Sequence, residues 1–145
     1  MRVVVQRVSS SSVSVNGEVI GQIKKGLNVL VGFTNGDSLK DIDYLVNKII
    51  NLRIFDDENG AMNKSVLDIG GSILLISQFT LYADSKKGNR PSYVNALKAC
   101  DALLLYEQTV DKMSQFVNVQ TGLFGADMQV LINNDGPITI CIDSK

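Results

Sequence analysis

The sequence predicts an α/β protein in which layered β-sheets, mostly antiparallel or mixed and sandwich- or barrel-like, carry two main helices packed outside. Three observations lead there. Valine- and isoleucine-rich segments recur along the chain and outnumber the helical ones. Only two stretches switch to apolar spacings of three and four. The 145 residues are 45% hydrophobic and 20% charged, a globular composition that suits a single domain, residues 1–145, with a sizeable core. A helix with one apolar stripe must cover a sheet face. The strands exceed what two helices can cover, so two adjacent sheets are expected.

The elements follow in order. Residues 2–8 are valine-rich. Residues 12–15 and 18–23 flank Asn16-Gly17, a strong signal for a type I′ hairpin, whose two central residues need positive φ. Residues 27–33 form a nearly continuous apolar run, as in a buried strand. Leu39, Ile42, Leu45, Val46, Ile49 and Ile50 then repeat with helical spacing, with Ser38 placed to cap the helix and Asp41 suited to its first turn. After the Gly70-Gly71 turn, residues 73–80 read as a second buried strand. A second helix is expected over 102–116, with Leu103, Tyr106, Val110 and Met113 as its stripe and Leu105, Thr109 and Phe116 beside it. Three short strands, 117–121, 128–133 and 138–142, close the chain.

Composition excludes much chemistry. The chain has no histidine, so Ser-His-Asp triads, Cys-His dyads and His-ligated metals are excluded. Net charge is −1, so nucleic acid could be held only by a local basic patch. Cys100 and Cys141 are far apart in sequence and outside any CxxC motif, which predicts reduced, partly buried thiols in a cytoplasmic protein. The apolar start breaks at Gln6 and Arg7, too soon for a signal peptide, and no run of 18 apolar residues exists, so no membrane association is expected.

A hydrolase without histidine must rely on hydroxyls, carboxylates, lysine or backbone amides. Three segments offer such groups. Ser77-Gln78-Phe79-Thr80-Leu81-Tyr82 ends a buried strand, and alternation would put Ser77 and Phe79 on one face and Gln78 and Thr80 on the other. The plainer reading is a strand edge that satisfies its own backbone. Gly136-Pro137 lies between two strand candidates and combines a residue without Cβ with one of fixed φ and no N–H; alone it reads as a turn. The loop 84–93 holds Lys86, Lys87 and Arg90 beside Gly88, Asn89 and Tyr93, and could touch a phosphate backbone or simply be solvated. Asp56-Asp57-Glu58-Asn59-Gly60 fails the EF-hand pattern, because counting back from Gly60 puts Phe55 at its first ligand position; it reads as a hairpin-type turn. Gly70-Gly71 has neither dinucleotide-binding nor Walker spacing.

Taken together, MRVVVQRV, SVSVNGEVIGQI, NLRIFDDENGAMNKSVLDIGG, SQFTLYAD, GNRPSY, TGLFGADM and NNDGPITICIDS resemble, in order and spacing, the D-aminoacyl-tRNA deacylase family of the DTD type. The resemblance spans essentially the whole chain, and the pairing of SQFTL with Gly136-Pro137 is its most specific part. It implies a homodimer that hydrolyses the ester between a D-amino acid and the terminal adenosine at the acceptor end of tRNA, without metal or other cofactor. Carried over, it places Ser77, Gln78, Phe79 and Thr80 along the aminoacyl pocket, with Phe124, Gly125, Ala126 and Met128 nearby. Thr80 and Ser77 are the catalytic candidates. Gly136 and Pro137, joined by a cis peptide, would gate the partner's pocket against L-amino acids. One departure stands out: residues 94–99, VNALKA, replace a proline-containing stretch frequent in relatives, and Asn89 stands where some carry arginine.

An aminoacyl ester is already activated, so positioning and oxyanion stabilisation could suffice. The backbone N–H groups near Phe79 and Thr80 are the expected donors. The Thr80 hydroxyl is a second donor or, as the resemblance also implies, the attacking group, a role disfavoured because no base stands beside it in the sequence. A purely steric gate should let glycyl-tRNA through. Two other classes compete: a tRNA-binding module without catalysis, and a β-rich dimeric interaction protein.

Overall fold

A computed structural model describes all residues 1–145. β1 (Arg2–Val15), β2 (Glu18–Ile23) and β3 (Gly26–Gly32) lead into α1 (Leu39–Ile50). A small hairpin of β4 (Phe55–Asp56) and β5 (Met62–Lys64) precedes β6 (Ser72–Ser77) and a 3-10 turn (Phe79–Tyr82). α2 (Ala99–Ser114), β7 (Asn118–Thr121) and β8 (Gln129–Asp143) complete the chain.

Six strands make one sheet, in the order β2-β1-β3-β6-β7, with β8 paired to the other side of β1. β1 is antiparallel to β2, β3 and β8, whereas β3-β6 and β6-β7 are parallel. The sheet curls until β2 lies back against β6 and β7. The expected pair of adjacent sheets is thus replaced by one sheet, nearly closed and barrel-like, plus the β4-β5 hairpin, while the expected helices and mixed strand directions are present.

The core follows from strand alternation. Val3, Val5, Leu27, Val29, Val31, Ile73 and Leu75 face α1 and α2, while Val8, Val13, Ile23, Leu74 and Ile76 fill the inside of the curl. α1 buries Ile42, Leu45, Val46, Ile49 and Ile50, the stripe its spacing predicts. Leu39 alone is exposed, because it opens the first turn. Asp41 accepts hydrogen bonds from the Ser38 backbone N–H at 2.9 Å, the Ser38 hydroxyl at 2.9 Å and the Ser144 hydroxyl at 2.7 Å. Burial opposes its charge, but the Ser144 and Ser38 hydrogen bonds outweigh that and hold the carboxyl down at about 2.

Several expectations need correction. Residues 2–8 and 12–15 form one strand running through the serines, with register shifts against β8 between Gln6 and Ser10. Ser11 is buried there because its hydroxyl donates to the Leu131 carbonyl at 2.8 Å and Asn28 Oδ1 at 3.1 Å. The two C-terminal strands also merge, into the 15-residue β8. α2 begins at Ala99 rather than 102 and buries Ala102, Tyr106, Thr109 and Met113, leaving Leu103 at the surface and Phe116 beyond the helix end. Both cysteines are exposed, not partly buried: Cys100 sits in the first turn of α2 and Cys141 on the outward face of β8.

Other expectations hold. Asn16 and Gly17 adopt φ of 51° and 84°, as a type I′ turn requires. The acidic stretch is a hairpin turn, in which the Asp57 carboxylate accepts from the N–H groups of Asn59 and Ala61 and from Asn63 Nδ2. No helix is long and apolar enough to cross a membrane.

Candidate active site

β6 pairs with β3 as far as Val31-Ser77, and the Gln78 N–H still donates to the Val31 carbonyl at 2.7 Å. There the chain leaves the sheet: Gln78 has φ −144° and ψ 87°, and residues Phe79–Tyr82 wind into the 3-10 turn. The expected strand over residues 73–80 therefore runs three residues too far, and the two-face alternation does not apply beyond Ser77. Gly32 permits the turn to dock. A Cβ at residue 32 would lie 2.9 Å from the Gln78 carbonyl oxygen and 3.1 Å from Leu81 Cβ, closer than real Cβ contacts normally come.

The turn changes the chemistry of its residues. Phe79 and Thr80 are its first residues, so their N–H groups have no acceptor within it. Such free donors at the start of a helical turn suit a developing negative charge. The Gln78 side-chain amide donates to the Thr80 hydroxyl, a contact that fixes both side chains. No histidine or lysine stands in the cavity wall to take a proton from this hydroxyl.

The strand end opens into a mostly apolar cavity of about 610 Å³. Ser77, Gln78 and Phe79 form one wall, and Phe124, Gly125, Ala126 and Met128 another. Seven of the eight predicted pocket residues thus meet at one cavity. Thr80, the eighth, lies outside the lining and reaches it through Gln78.

The remaining walls come from residues that the sequence does not assign to the pocket. Ala96, Leu97 and Ala99 belong to the unusual 94–99 segment and line the cavity. Pairing fixes that segment: the Leu97 N–H donates to the Phe33 carbonyl at 2.9 Å, and the Thr34 hydroxyl to the Asn95 carbonyl at 2.6 Å. Tyr93 sits edge-on to Phe79 at the mouth, with ring centroids 5.1 Å apart. Asp127 is the one acidic side chain in the lining. Phe124 leans on Tyr106, centroids 5.6 Å apart, and the Tyr106 hydroxyl donates to the Leu75 carbonyl at 2.8 Å. Burial raises the Tyr106 pKa, so this donor stays protonated. α2 thereby braces both the strand that carries Ser77 and the opposite wall.

Gly136 and Pro137 stand apart from this cavity. They are exposed, joined by a cis peptide, and absent from the cavity wall of their own chain. Rather than making a turn, they sit in mid-strand on β8, with Gly136 at φ 119°. A Cβ on Gly136 would lie 2.9 Å from Ile138 Cγ1 and 3.3 Å from the Arg7 guanidinium. Arg7 is nearly buried. It donates to the Ile54 carbonyl at 2.8 Å and the Asp135 carbonyl at 3.3 Å, and pairs with the Asp135 carboxylate at 3.1 Å and the Asp56 carboxylate at 3.5 Å. In the sequence Arg7 only interrupts an apolar run; in the fold it ties β1 and the β4 end to the residue before Gly136.

Comparison with known proteins identifies the family. A family model described as D-Tyr-tRNA(Tyr) deacylase matches residues 4–143. A D-aminoacyl-tRNA deacylase of Clostridium tetani is 60% identical over 146 residues, covering 100% of this chain and 98% of the relative. Another, from Clostridium novyi, is 57% identical over the same coverage. A solved structure described as c-Myc DNA Unwinding Element Binding Protein superposes with a TM-score of 0.95 at 42% identity, covering 100% of this chain and 99% of that one. A probable eukaryotic D-amino acid tRNA deacylase superposes at 0.83 with 16% identity over 97% of both chains, a likeness of fold alone. With its whole length matched and its strand end, cavity walls and Gly-Pro segment in place, the chain belongs to the D-Tyr-tRNA(Tyr) deacylase family.

Proposed function

We propose that this chain hydrolyses the ester linking a D-amino acid to the 3′-terminal adenosine of tRNA, releasing free amino acid and tRNA. One observation supports this most: a 3-10 turn begins at Phe79 on the edge of a mostly apolar cavity, so the first N–H groups of the turn have no acceptor within it, and the lining holds no histidine and no lysine. Such a site suits a substrate whose ester is already reactive.

The aminoacyl group enters the cavity, with its side chain among apolar walls. Water attacks the carbonyl carbon, aided by the neighbouring ribose hydroxyl. The backbone N–H groups of Phe79 and Thr80 receive the developing oxyanion. One such donor is typically worth about 2.7–4 kcal/mol. The Thr80 hydroxyl, held by Gln78, is an auxiliary donor, and Ser77 fixes the approach of the ester. The ester bond then breaks, and the terminal adenosine leaves with its hydroxyl restored.

The gate requires a second copy. β8 pairs only with β1, which leaves a 15-residue edge, and Leu131 on it is 72% exposed. A long free edge is a template for pairing, and the exposed Val19, Ile20 and Leu123 add apolar surface. In the homodimer, Gly136-Pro137 of one protomer closes the cavity of its partner, and its backbone occupies the volume that an L side chain would need. Pro137 brings a fixed φ, and Gly136 lets the backbone approach closely. A repulsive element of this kind separates mirror images that attraction alone treats alike.

A deacylation time course with D-, L- and glycyl-tRNA tests the proposal. D-aminoacyl-tRNA is expected to be cleaved, L-aminoacyl-tRNA to persist, and glycyl-tRNA, lacking a side chain to clash, to be cleaved as well. Tight binding of D-aminoacyl-tRNA without turnover would favour a binding module, and equal cleavage of both hands would remove the gate.

A further inference from the structure

We infer that a second, polar groove beside the cavity holds the phosphodiester backbone of the acceptor strand whose 3′ end the cavity receives; this rests on the proposed tRNA substrate. The groove, of about 450 Å³, is lined by Arg2, Tyr82, Asp84, Lys86 and Asn95 among others. Two chain segments contribute to both the groove and the cavity. The 3-10 turn gives Phe79 to the cavity and Tyr82 to the groove, and the segment after it gives Tyr93 to the cavity and Asp84, Lys86 and Asn95 to the groove.

The Phe79-Tyr93 pair belongs to the same two segments, and both rings are solvent-exposed, 56% and 44%, so their faces are open to a stacking base. Beyond them stands the 84–92 loop, closed by the mutual backbone hydrogen bonds of Asp84 and Ser92 at 2.8 and 2.9 Å. The loop carries Lys86, which lines the groove, and Lys87 and Arg90, which lie outside its lining on the same loop; none enters a salt bridge, whereas Arg2 is tied to Asp143 at 2.7 Å and lies over the Tyr82 ring. The one carboxylate of the loop, Asp84, already accepts the Lys86 backbone N–H at 2.9 Å. In a chain of net charge −1, this is a local cationic surface. Exposed aromatic rings continued by free cations are what single-stranded nucleic acid requires, the rings for bases and the cations for phosphates. The groove contributes affinity and register, and it leaves the ester chemistry to the cavity.

The test combines a K86A/K87A/R90A variant with a charge-conserving K86R/K87R/R90K variant in the full chain. Binding of uncharged tRNA is measured over a salt series. The alanine variant is expected to bind roughly tenfold more weakly, with the slope of log K against log salt shallower by about 0.7 per cation that contacts a single-stranded phosphate. The conservative variant is expected to bind like the parent. Unchanged affinity and slope in the alanine variant would overturn the groove, as would equal losses in both variants. Hydrolysis of D-aminoacyl-adenosine, which has no phosphodiester, scores the deacylase reading separately in the parent protein. Its absence would sink that reading while the binding series still decides the groove.

Discussion

Two breaks in regular β-structure, at Ser77-Gln78 and at Gly136-Pro137, lie at the ends of opposite strategies. At the first, the strand stops, the chain winds into a 3-10 turn, and the residues that follow are gathered by their own chain into a cavity with Gly32 beneath and Phe124 opposite. At the second, the strand continues on either side, Arg7 grips the residue before the break, and nothing of the same chain closes over it. The first break builds a site that is complete in its walls. The second presents its peptide outward, as the proposed gate requires. The comparison teaches that an irregularity enclosed by its own chain shapes a cavity, whereas one left outside suits the role proposed for it against a second copy.

The sharpest way to break this contrast is to disturb the outward element. Gly136→Ala adds a Cβ at a φ of 119° and 2.9 Å from Ile138 Cγ1, so the backbone there must shift. The D-over-L preference in deacylation is expected to fall about 10–200-fold, the range of a steric discriminator. An unchanged preference would remove Gly136 from the gate. The corresponding change at the inward element is Gly32→Ala, whose Cβ would press on the Gln78 carbonyl and on Leu81. A displacement of the turn by about 1 Å is expected to lower kcat up to roughly 100-fold for D-substrates while the D-over-L preference stays. Loss of preference with activity intact would reverse the assignment of the two regions.

A smaller effect separates the roles within the first region. Thr80→Ala removes the acceptor of the Gln78 amide, and it is expected to lower kcat about tenfold, the scale of one hydrogen bond. Complete loss of activity, together with an acyl-enzyme trapped on the native protein, would instead make Thr80 the nucleophile. The smallest effect lies outside both breaks. The Asp41 carboxyl is held at about 2 in the fold against an ordinary 3.8. Its contribution to stability is therefore complete above about pH 4 and disappears as pH falls through about 2. In acid titrations followed by circular dichroism, Asp41→Asn is expected to lose less stability across that window than the native protein; identical acid curves would contradict this.

Legibility in the sequence divides along physical lines. α1 was readable because its stripe, cap and first-turn carboxylate are all local, and the Asn16-Gly17 turn because its residues specify their own φ. The cavity residues are reached only through the resemblance of whole motifs to a known family, since no periodicity links Ser77 to Phe124. What escaped reading depends on partners distant in sequence. The serines of β1 look like a break until Asn28 and Leu131 satisfy Ser11. Arg7 looks like an intrusion until Ile54 and Asp135 surround it. Ser77-Thr80 looks like a strand until Gly32, 45 residues earlier by its number, makes room for the turn. Leu103 was assigned inward because apolar spacing alone cannot distinguish neighbouring helix faces, and the small Ala102 took its place.

β8 also has a consequence for how such a molecule can change over time. Its first residues stand at the rim of the protein's own binding chamber, beside Met128 and Val130, and six positions beyond Val130 comes the protruding Gly136. Because side chains along a strand invert with every step, inserting or deleting a single residue in that interval would turn over the chamber's rim and mis-aim the protrusion at once. In a two-fold pair the fault would strike both chambers together, so this short stretch is expected to tolerate substitutions while resisting any change in its length.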